Sequence, residues 1–494
     1  MWRTMLLVTG ATCALAMAKA QAPLCVDETF HMPYAPTGNA NDIEFMADGR
    51  IVVGGYLKSP GEMIHYFGLT RLEQDGAIDP FGPNYLQSGA RLRIQDEYLF
   101  LMTGGSGYPR VFLSDGSYDY SYLSFMMPEF SISQTGDYHI FPDGKQWRTG
   151  KFSKQLYDEE GNQIGNEQGY GLVQVLPDGH ADPEFDHKRT WPGSTRALRE
   201  TPDGRFLISS TVGAVYEGHP IGAVARIWPD GHLDTTFHST ITWGVISRDF
   251  YFYPDGRILV FGNMLAPEYP NDTLAVMRLH PDGSTDTTWP SIPFLAYGYF
   301  RGLAAVWDRL EVEPGKLILV GDFNAIGAQP FGAITTIDTA GNVLWDYLPG
   351  TGAGFTEEID TNQPMCYLSG IKEGPDGYIY VYGTFSGYND GCGDHPEQRL
   401  IARLFPLDVG VKERSKENGL RVYPNPGNGR IQLQWPGHNA INLEVQDALG
   451  RTVYREEALR APFELDLSHL TAGVYNLLVT ARDGRRASAK WIKQ

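Results

Sequence analysis

Carboxylates dominate the residues that could do chemistry in this chain. Asp203, Asp230, Asp255 and Asp282 each stand directly before a glycine, in a repeated setting. A ring of such groups would suit acid–base work or cation binding. Their neighbours give a plainer reading, because Asp and Gly together make a turn by local hydrogen bonding and positive φ. Two loops are richer: Glu357-Glu358-Ile359-Asp360 and Asn389-Asp390-Gly391-Cys392-Gly393-Asp394. Hard oxygen ligands in glycine-rich loops suit Ca²⁺, yet neither spacing matches a calcium loop, so a solvated acidic loop is the default. The twelve histidines are scattered, and His65, His180, His232 and His280 sit in loops or beside turns. No GxSxG, HExxH, GxxxxGK[ST] or EF-hand spacing occurs, so no catalytic, metal-ligating or cofactor-binding residue is assigned. Tyr56, His65, Tyr66, Tyr157, Tyr216, Tyr269 and Tyr388 fall in long loops. Aromatics there suit stacking on sugars or gripping a protein, and suit loop packing equally well.

The elements that must position these groups are short strands joined by tight turns. In Arg196–Phe237 two Pro-Asp-Gly turns, at Gly204 and Gly231, punctuate β-rich runs, and Arg248–Trp289 repeats the arrangement around Gly256 and Gly283. Both glycine pairs are 27 residues apart, as are Gly49 and Gly76. Asp-Gly between apolar runs predicts type I′ hairpins and a four-stranded antiparallel sheet per unit. Weaker copies begin at Pro142-Asp143-Gly144, Pro314-Gly315-Lys316 and Gln95-Asp96-Glu97, and the last at Pro375-Asp376-Gly377. That makes seven units at the period of a propeller blade. The last unit lacks the Asp-x-x-Phe tail, and Val26-Asp27-Glu28-Thr29-Phe30 supplies a match for it near the N-terminus. The N-terminal segment is therefore expected to close the ring as the outer strand of the last blade.

Whole-chain properties fit an exported protein. Across 494 residues, 42% are hydrophobic and 20% charged, an ordinary globular balance with room for more than one domain. Residues 1–20 combine Arg3, an apolar run from Met5 to Met17 and the small-x-small site Ala18-Lys19-Ala20, the pattern of a secretory signal peptide. No later stretch is long and apolar enough to be a transmembrane segment. The net charge of −19 lies in the body rather than in the slightly basic C-terminal end, which argues against nucleic acid and anionic membranes as partners. Export makes a disulfide plausible among Cys25, Cys366 and Cys392. With alternating strands, Cys366 and Cys392 fall on the face opposite the Asp-Gly turns while Cys25 starts on the other, so Cys366–Cys392 is the expected bond.

The repeats resemble the delta-sixty family of β-propeller-like repeats, with a "PDGK-apolar-apolar-V-G-G" run followed by "RL-x-x-DG-x-x-D-x-x-F". The match is close at 42–81, 196–237 and 248–289 and spans about residues 26–405. The resemblance implies a propeller fold and an exported or surface setting, with no defined activity. After a charged linker, Tyr423-Pro424-Asn425-Pro426, Asp447 with Gly450-Arg451, Asp466-Leu467-Ser468, Leu470 through Gly473-Val474-Tyr475, and the basic end through Lys493 follow in order. This order resembles the type A C-terminal sorting domain of the bacterial type IX secretion system. It implies recognition by that machinery and delivery to the outer surface of a Gram-negative, Bacteroidetes-like cell.

The expected organisation is a signal peptide (1–20), a seven-bladed β-propeller (21–410), a linker (411–419) and a small Ig-like β-sandwich sorting domain (420–494), an all-β protein throughout. The expected role is a non-enzymatic glycan- or protein-binding module that uses the face of the long loops. The alternatives are a polysaccharide-active lyase or hydrolase with acidic residues at the central channel, or a structural or adhesion component of the surface.

Overall fold

The computed structural model describes residues 24–34, 38–58, 66–79, 91–95, 98–102, 110–113, 129–191, 195–210, 214–270, 272–296, 303–348, 350–355, 365–406, 420–435, 440–447, 451–460, 463–481 and 486–493. The signal peptide, the linker, the Glu357–Asp360 loop, His65 and Gly450 lie outside them. Among the described residues there is no helix, and so none long and apolar enough to cross a membrane. The chain divides into two compact units, Met1–Val409 and Gly410–Gln494.

Among the described residues the first unit holds seven antiparallel meanders, one per sequence repeat, and a further small sheet of Phe294–Leu295, Ala325–Ile326 and Gln329–Pro330. Their first strands are Asn39–Phe45, Arg91–Gln95, Phe130–Ile140, Thr195–Glu200, Trp243–Phe252, Ala305–Glu313 and Tyr367–Glu373, taken here as the inner strands of blades 1 to 7. The inner strands of blades 3 to 7 lie side by side in order, and that of blade 1 meets both blade 2 and blade 7. Arg93 and Tyr138 line one cavity between blades 2 and 3, so the ring closes. Second and third strands send apolar residues into cores shared with the next blade. Leu207, Val260 and Met277 of blades 4 and 5, for instance, share one core with Phe237. Isolated bridges at Ala181, Leu233, Thr285 and Val343 mark the outer edges of blades 3 to 6.

The turns differ from the expected type I′. Gly204, Gly231, Gly256 and Gly283 have φ of 80°, 86°, 85° and 90°, while the aspartates before them keep negative φ. Gly204 N donates to Thr201 O, and Thr201 N donates to Arg205 O. This is a type I turn followed by a left-handed glycine, a bulged hairpin rather than a two-residue loop. The aspartate accepts the N–H two residues on, as Asp230 does from His232 at 2.9 Å and Asp282 from Ser284 at 3.0 Å. The repeated turn aspartates are therefore structural.

A second repeated aspartate is buried. Asp234 accepts Thr236 N at 3.0 Å through Oδ1, and Arg226 Nε and Arg205 Nη1 at 2.7 Å each through Oδ2. Asp286 does the same with Thr288 and Arg278, and Asp79 takes Arg71 and Arg50. Each clamp ties the outer turn of a blade to its third strand and to the arginine after the first Asp-Gly. In blade 7 the N-terminal segment completes the clamp. Val26 bridges Leu404, Asp27 N donates to Arg403 O, and Arg403 Nη2 meets Asp27 Oδ2 at 2.7 Å. The missing outer strand thus comes from the N-terminus.

The second unit is a two-sheet β-sandwich. Arg421–Tyr423, Arg430–Gln434 and Phe463–Asp466 form one sheet, and Thr452–Arg460, Ala440–Gln446, Gly473–Ala481 and Arg486–Lys493 the other. Leu433, Trp435, Val445, Leu477 and Trp491 fill the space between them.

Candidate functional site: the central channel

The inner strands carry charged side chains into the ring's axis, and the sequence reading missed their common pattern. Asp42, Asp137 and Asp308 each accept the next residue's N–H at 2.9–3.0 Å. Their second oxygens accept an N–H of the following blade: Leu92 at 3.0 Å, Leu198 at 3.4 Å and Ile371 at 3.0 Å. Cations answer from neighbouring blades. Lys372 Nζ lies 2.9 Å from Asp42 and 3.1 Å from Glu44, and Arg93 Nη1 lies 3.0 Å from Glu44. Arg199 meets Asp137 and approaches Asp249 at 3.5 Å, and Arg309 reaches Asp249 at 3.0 Å. The result is a belt of alternating charge that staples adjacent blades. Asp308 has only two N–H groups and a more distant Lys372, so burial, helped by the Asp249 charge, pushes it up to about 6.

One cavity opens on this belt. It measures about 450 Å³ and is lined by Arg93, Ile94, Tyr138, His139, Ile140, Leu198, Arg199 and Glu200, from blades 2, 3 and 4. Ile140 and Glu200 stand just before their blades' turns, so the cavity lies toward the Asp-Gly end of the channel and not among the long loops. Burial raises the Tyr138 phenol well above its usual range, against the pull of Arg93. Burial also lowers the His139 imidazole, which packs edge-on to Phe141 and Phe206 and stands 3.9 Å from Glu200. Burial opposes the Arg93 charge too, but the surrounding anionic side chains more than offset it. At neutral pH the cavity therefore presents two cations, a neutral phenol, a neutral imidazole and the Glu200 carboxylate.

The cysteines depart from expectation. Cys25 bonds to Cys392, with Cα atoms 6.1 Å apart, and Cys366 is free and buried, its thiol against Ala353 O at 3.2 Å. The reason is the last hairpin. Its two strands shift register between Tyr382 and Ser386 and again before Tyr388, and the tip folds back along the outer edge to the N-terminal segment. Asp390 Oδ2 accepts Val26 N at 2.6 Å, and His395 reaches both Asp390 and Glu28. Asp390 Oδ1 takes Cys392 N and Gly393 N at 2.7 and 2.8 Å, so the acidic loop folds around its own N–H donors. A second cluster, Asp186, Glu217 and His232, has the spacing of a cation site, but the Lys188 ammonium stands at its centre, 2.9 Å from both carboxylates.

Of the loop aromatics, Tyr216 and Tyr388 are buried, and the Tyr216 hydroxyl donates to Gly231 O at 2.7 Å. Tyr269 is half-buried against the core between blades 4 and 5, while Tyr56 and Tyr157 are exposed. The aromatics thus divide between packing and surface.

In the sandwich the sorting-motif residues converge on the last strand. Asn425 bonds Lys490 O at 2.7 Å and Ile492 N at 2.9 Å, and Trp491 Nε1 donates to Pro424 O at 3.2 Å. Tyr475 donates to Thr471 O at 2.7 Å, and the buried Lys493 ammonium caps the carbonyls of Leu467, Ser468 and Leu470. Tyr423 and Val474 are exposed, and Gly427 N bonds Ile492 O at 2.9 Å beside Pro426. Arg451 pairs on the surface with Asp447 at 2.7 Å.

Comparison with known proteins agrees with this architecture. Residues 421–494 match the secretion system C-terminal sorting domain family, and residues 201–237 and 254–288 match a beta-propeller domain of unknown function, DUF5122. The protein is therefore a secreted or cell-surface β-propeller, two of whose repeats match DUF5122, with a type IX sorting domain at residues 421–494. No curated protein matches the chain. Among solved structures it is similar to the extracellular domain of a proposed hybrid two component system from B. thetaiotaomicron, at 11% identity and a TM-score of 0.31, covering 92% of this chain and 68% of that one. It is also similar to polysaccharide lyase Uly1, at 12% identity and a TM-score of 0.31, covering 77% and 92%. A mannose phosphorylase from Leishmania mexicana matches at 10% identity and a TM-score of 0.23, covering 78% and 89%. Likenesses at this level identify neither substrate nor activity.

Proposed function

We propose that the propeller is a non-enzymatic binding module, most simply for a glycan, carried to the cell exterior by its sorting domain and engaging its ligand at the central channel. The observation that supports this is the state of the channel carboxylates. Asp42, Glu44, Asp137 and Asp249 are each ion-paired to a neighbouring blade, and Asp308 is held by two backbone N–H groups. A hydrolase needs two carboxyl groups facing each other across a substrate with divergent acidities, and these groups instead face their own scaffold.

One observation favours the enzymatic alternative. Arg93, Tyr138, His139 and Arg199 line a single cavity, and a phenol or imidazole can abstract a proton beside a carbonyl while a guanidinium stabilises the charge that develops. Burial, however, moves the Tyr138 phenol away from the acidity a general base requires. The test is a glycan array with the full-length protein, with and without Ca²⁺, followed by product analysis of every hit. Retention of intact glycan supports the binding reading, and Ca²⁺ dependence would bring back the acidic loop around Asp390. Cleaved product defeats the binding reading, and silence on every glycan points to a protein ligand or a structural coat.

A further inference from the structure

The Tyr138 hydroxyl asks for a partner. The residue is only 5% exposed, its hydroxyl has no hydrogen-bond partner, and it lines the channel cavity. Buried hydroxyls are nearly always satisfied, so an orphan on a residue that lines a cavity marks a place where something else supplies the acceptor. The two guanidinium groups beside it are only partly used. Arg93 spends Nη1 on Glu44 and Leu92 O, and Arg199 spends Nη1 on Asp137 and Leu198 O with Nε toward Asp249. Neither Nη2 has a partner among the described residues, and the side chains keep 34% and 24% of their exposure. The belt carboxylates fix the guanidinium planes, so their remaining donors are held in place before any ligand arrives.

We propose that this cavity seats an anionic oxygen group, the carboxylate or sulfate ester of an acidic saccharide, with the Tyr138 hydroxyl and the free N–H groups of Arg93 and Arg199 as its donors. The inference rests on the saccharide-binding reading above and names the class within it. A phenol and two guanidinium groups offer donors and no competing lone pair except the phenol's own, which suits an oxyanion better than a neutral hydroxyl. Glu200, the one carboxylate lining the cavity, is exposed and turned to His139, away from the donors of Arg93 and Arg199. The acidic body of the protein does not oppose this, because the belt neutralises its own anions and screening confines the rest to short range.

The test compares each acidic glycan with its own neutral form on the full-length protein. Uronate oligosaccharides are paired with their carboxyl-reduced sugars, and sulfated galactans with their desulfated chains. The expected result is at least tenfold tighter binding of one acidic form than of its neutral counterpart, weakening as salt is raised. Preference for the uronate or for the sulfate tells which oxyanion is the natural one. Tyr138→Phe removes one hydroxyl from an otherwise unchanged ring, and should weaken the acidic ligand about tenfold, as expected for a hydrogen bond to a charged group, while leaving the neutral form and the melting temperature unchanged. Equal affinity for acidic and neutral forms, or an unaltered Tyr138→Phe variant, overturns the inference and leaves saccharide binding standing. Failure of every saccharide, acidic or neutral, overturns both.

Discussion

Replacing Asp234 by alanine should destabilise the propeller far more than replacing Asp203, thirty-one positions earlier and only two bonds away through Arg205. The Asp234 carboxylate is 1% exposed and compensates Arg226, which is 9% exposed, at 2.7 Å. It also holds Arg205 Nη1 and the Thr236 N–H. Removing one partner of a buried pair strands the other charge, a loss of about 3–5 kcal/mol. Arg226 keeps Pro281 O at 2.9 Å, and Arg205 keeps Asp203, so the lower end, about 3 kcal/mol, is expected here. Asp203 is 52% exposed and holds only its own turn and a half-buried guanidinium that Asp234 also binds, so Asp203→Ala should cost no more than about 1 kcal/mol. The pH dependence follows in sign. Burial opposes ionisation of Asp234, but the Thr236 and Arg226 donors win and hold its carboxyl below the usual range. A depressed carboxylate contributes stability that is present above about pH 4 and is lost as pH falls through the folded value. The assay is urea unfolding of wild type and both variants at pH 7 and pH 3. Equal losses for the two variants at pH 7, or a wild-type advantage over Asp234→Ala that does not shrink on acidification, would refute the clamp argument.

Other consequences are open to direct measurement. Peptide mapping without reduction should recover Cys25 joined to Cys392, and the mature protein should react with one thiol reagent equivalent, at Cys366, only after unfolding. Cys25→Ser should cost about 2–4 kcal/mol, because the bond closes a loop spanning a separation of 367 residues. Asp322 is pushed up to about 6 by burial alone, so its ionisation weakens the fold as pH rises from about 4 to about 6. The residue in the same place in blade 5, Asn263, donates to Ala304 O of the next blade at 2.7 Å. Asp322→Asn should therefore raise stability at pH 7.5 by about 1–2 kcal/mol and flatten the change between pH 4 and 6. Lys493→Ala removes the ammonium that caps three carbonyls and should make the sorting domain sensitive to limited proteolysis, at a cost of about 2–3 kcal/mol.

The blades were legible in the sequence because each is a local unit whose turn chemistry repeats. Asp-Gly pairs located five of the first hairpins, looser copies at Gln95-Asp96-Glu97 and Pro314-Gly315-Lys316 the other two, and the Val26–Phe30 match the strand that closes the ring. The turn type was misjudged, since Asp-Gly serves both a two-residue turn and a bulged one, and only the φ of the aspartate separates them. The Arg–Asp clamps had a signal, an arginine eight residues before the tail aspartate at 226/234 and 278/286. The belt had one as well, an aspartate seven residues before the turn glycine at 42/49, 137/144, 249/256 and 308/315. The clamp stands out only once the outer turn folds back on its own blade, and the belt only once the partners on neighbouring blades are known. The disulfide eluded a topological argument because a bulged hairpin does not end on the face where a straight one would. The cavity had no local signature at all: Arg93, Tyr138 and Arg199 come from three blades, and only ring closure sets them around one space.

The central claim is that the channel holds a saccharide without cutting it. The most direct measurement is the chain-length distribution of the tightest-binding polysaccharide, taken before and after prolonged incubation with a stoichiometric amount of the full-length protein. An unchanged distribution, with the polysaccharide still co-eluting with the protein, is the predicted result. Shortened chains, with or without a new unsaturated end, would contradict it and make the Tyr138–His139 cavity an active site.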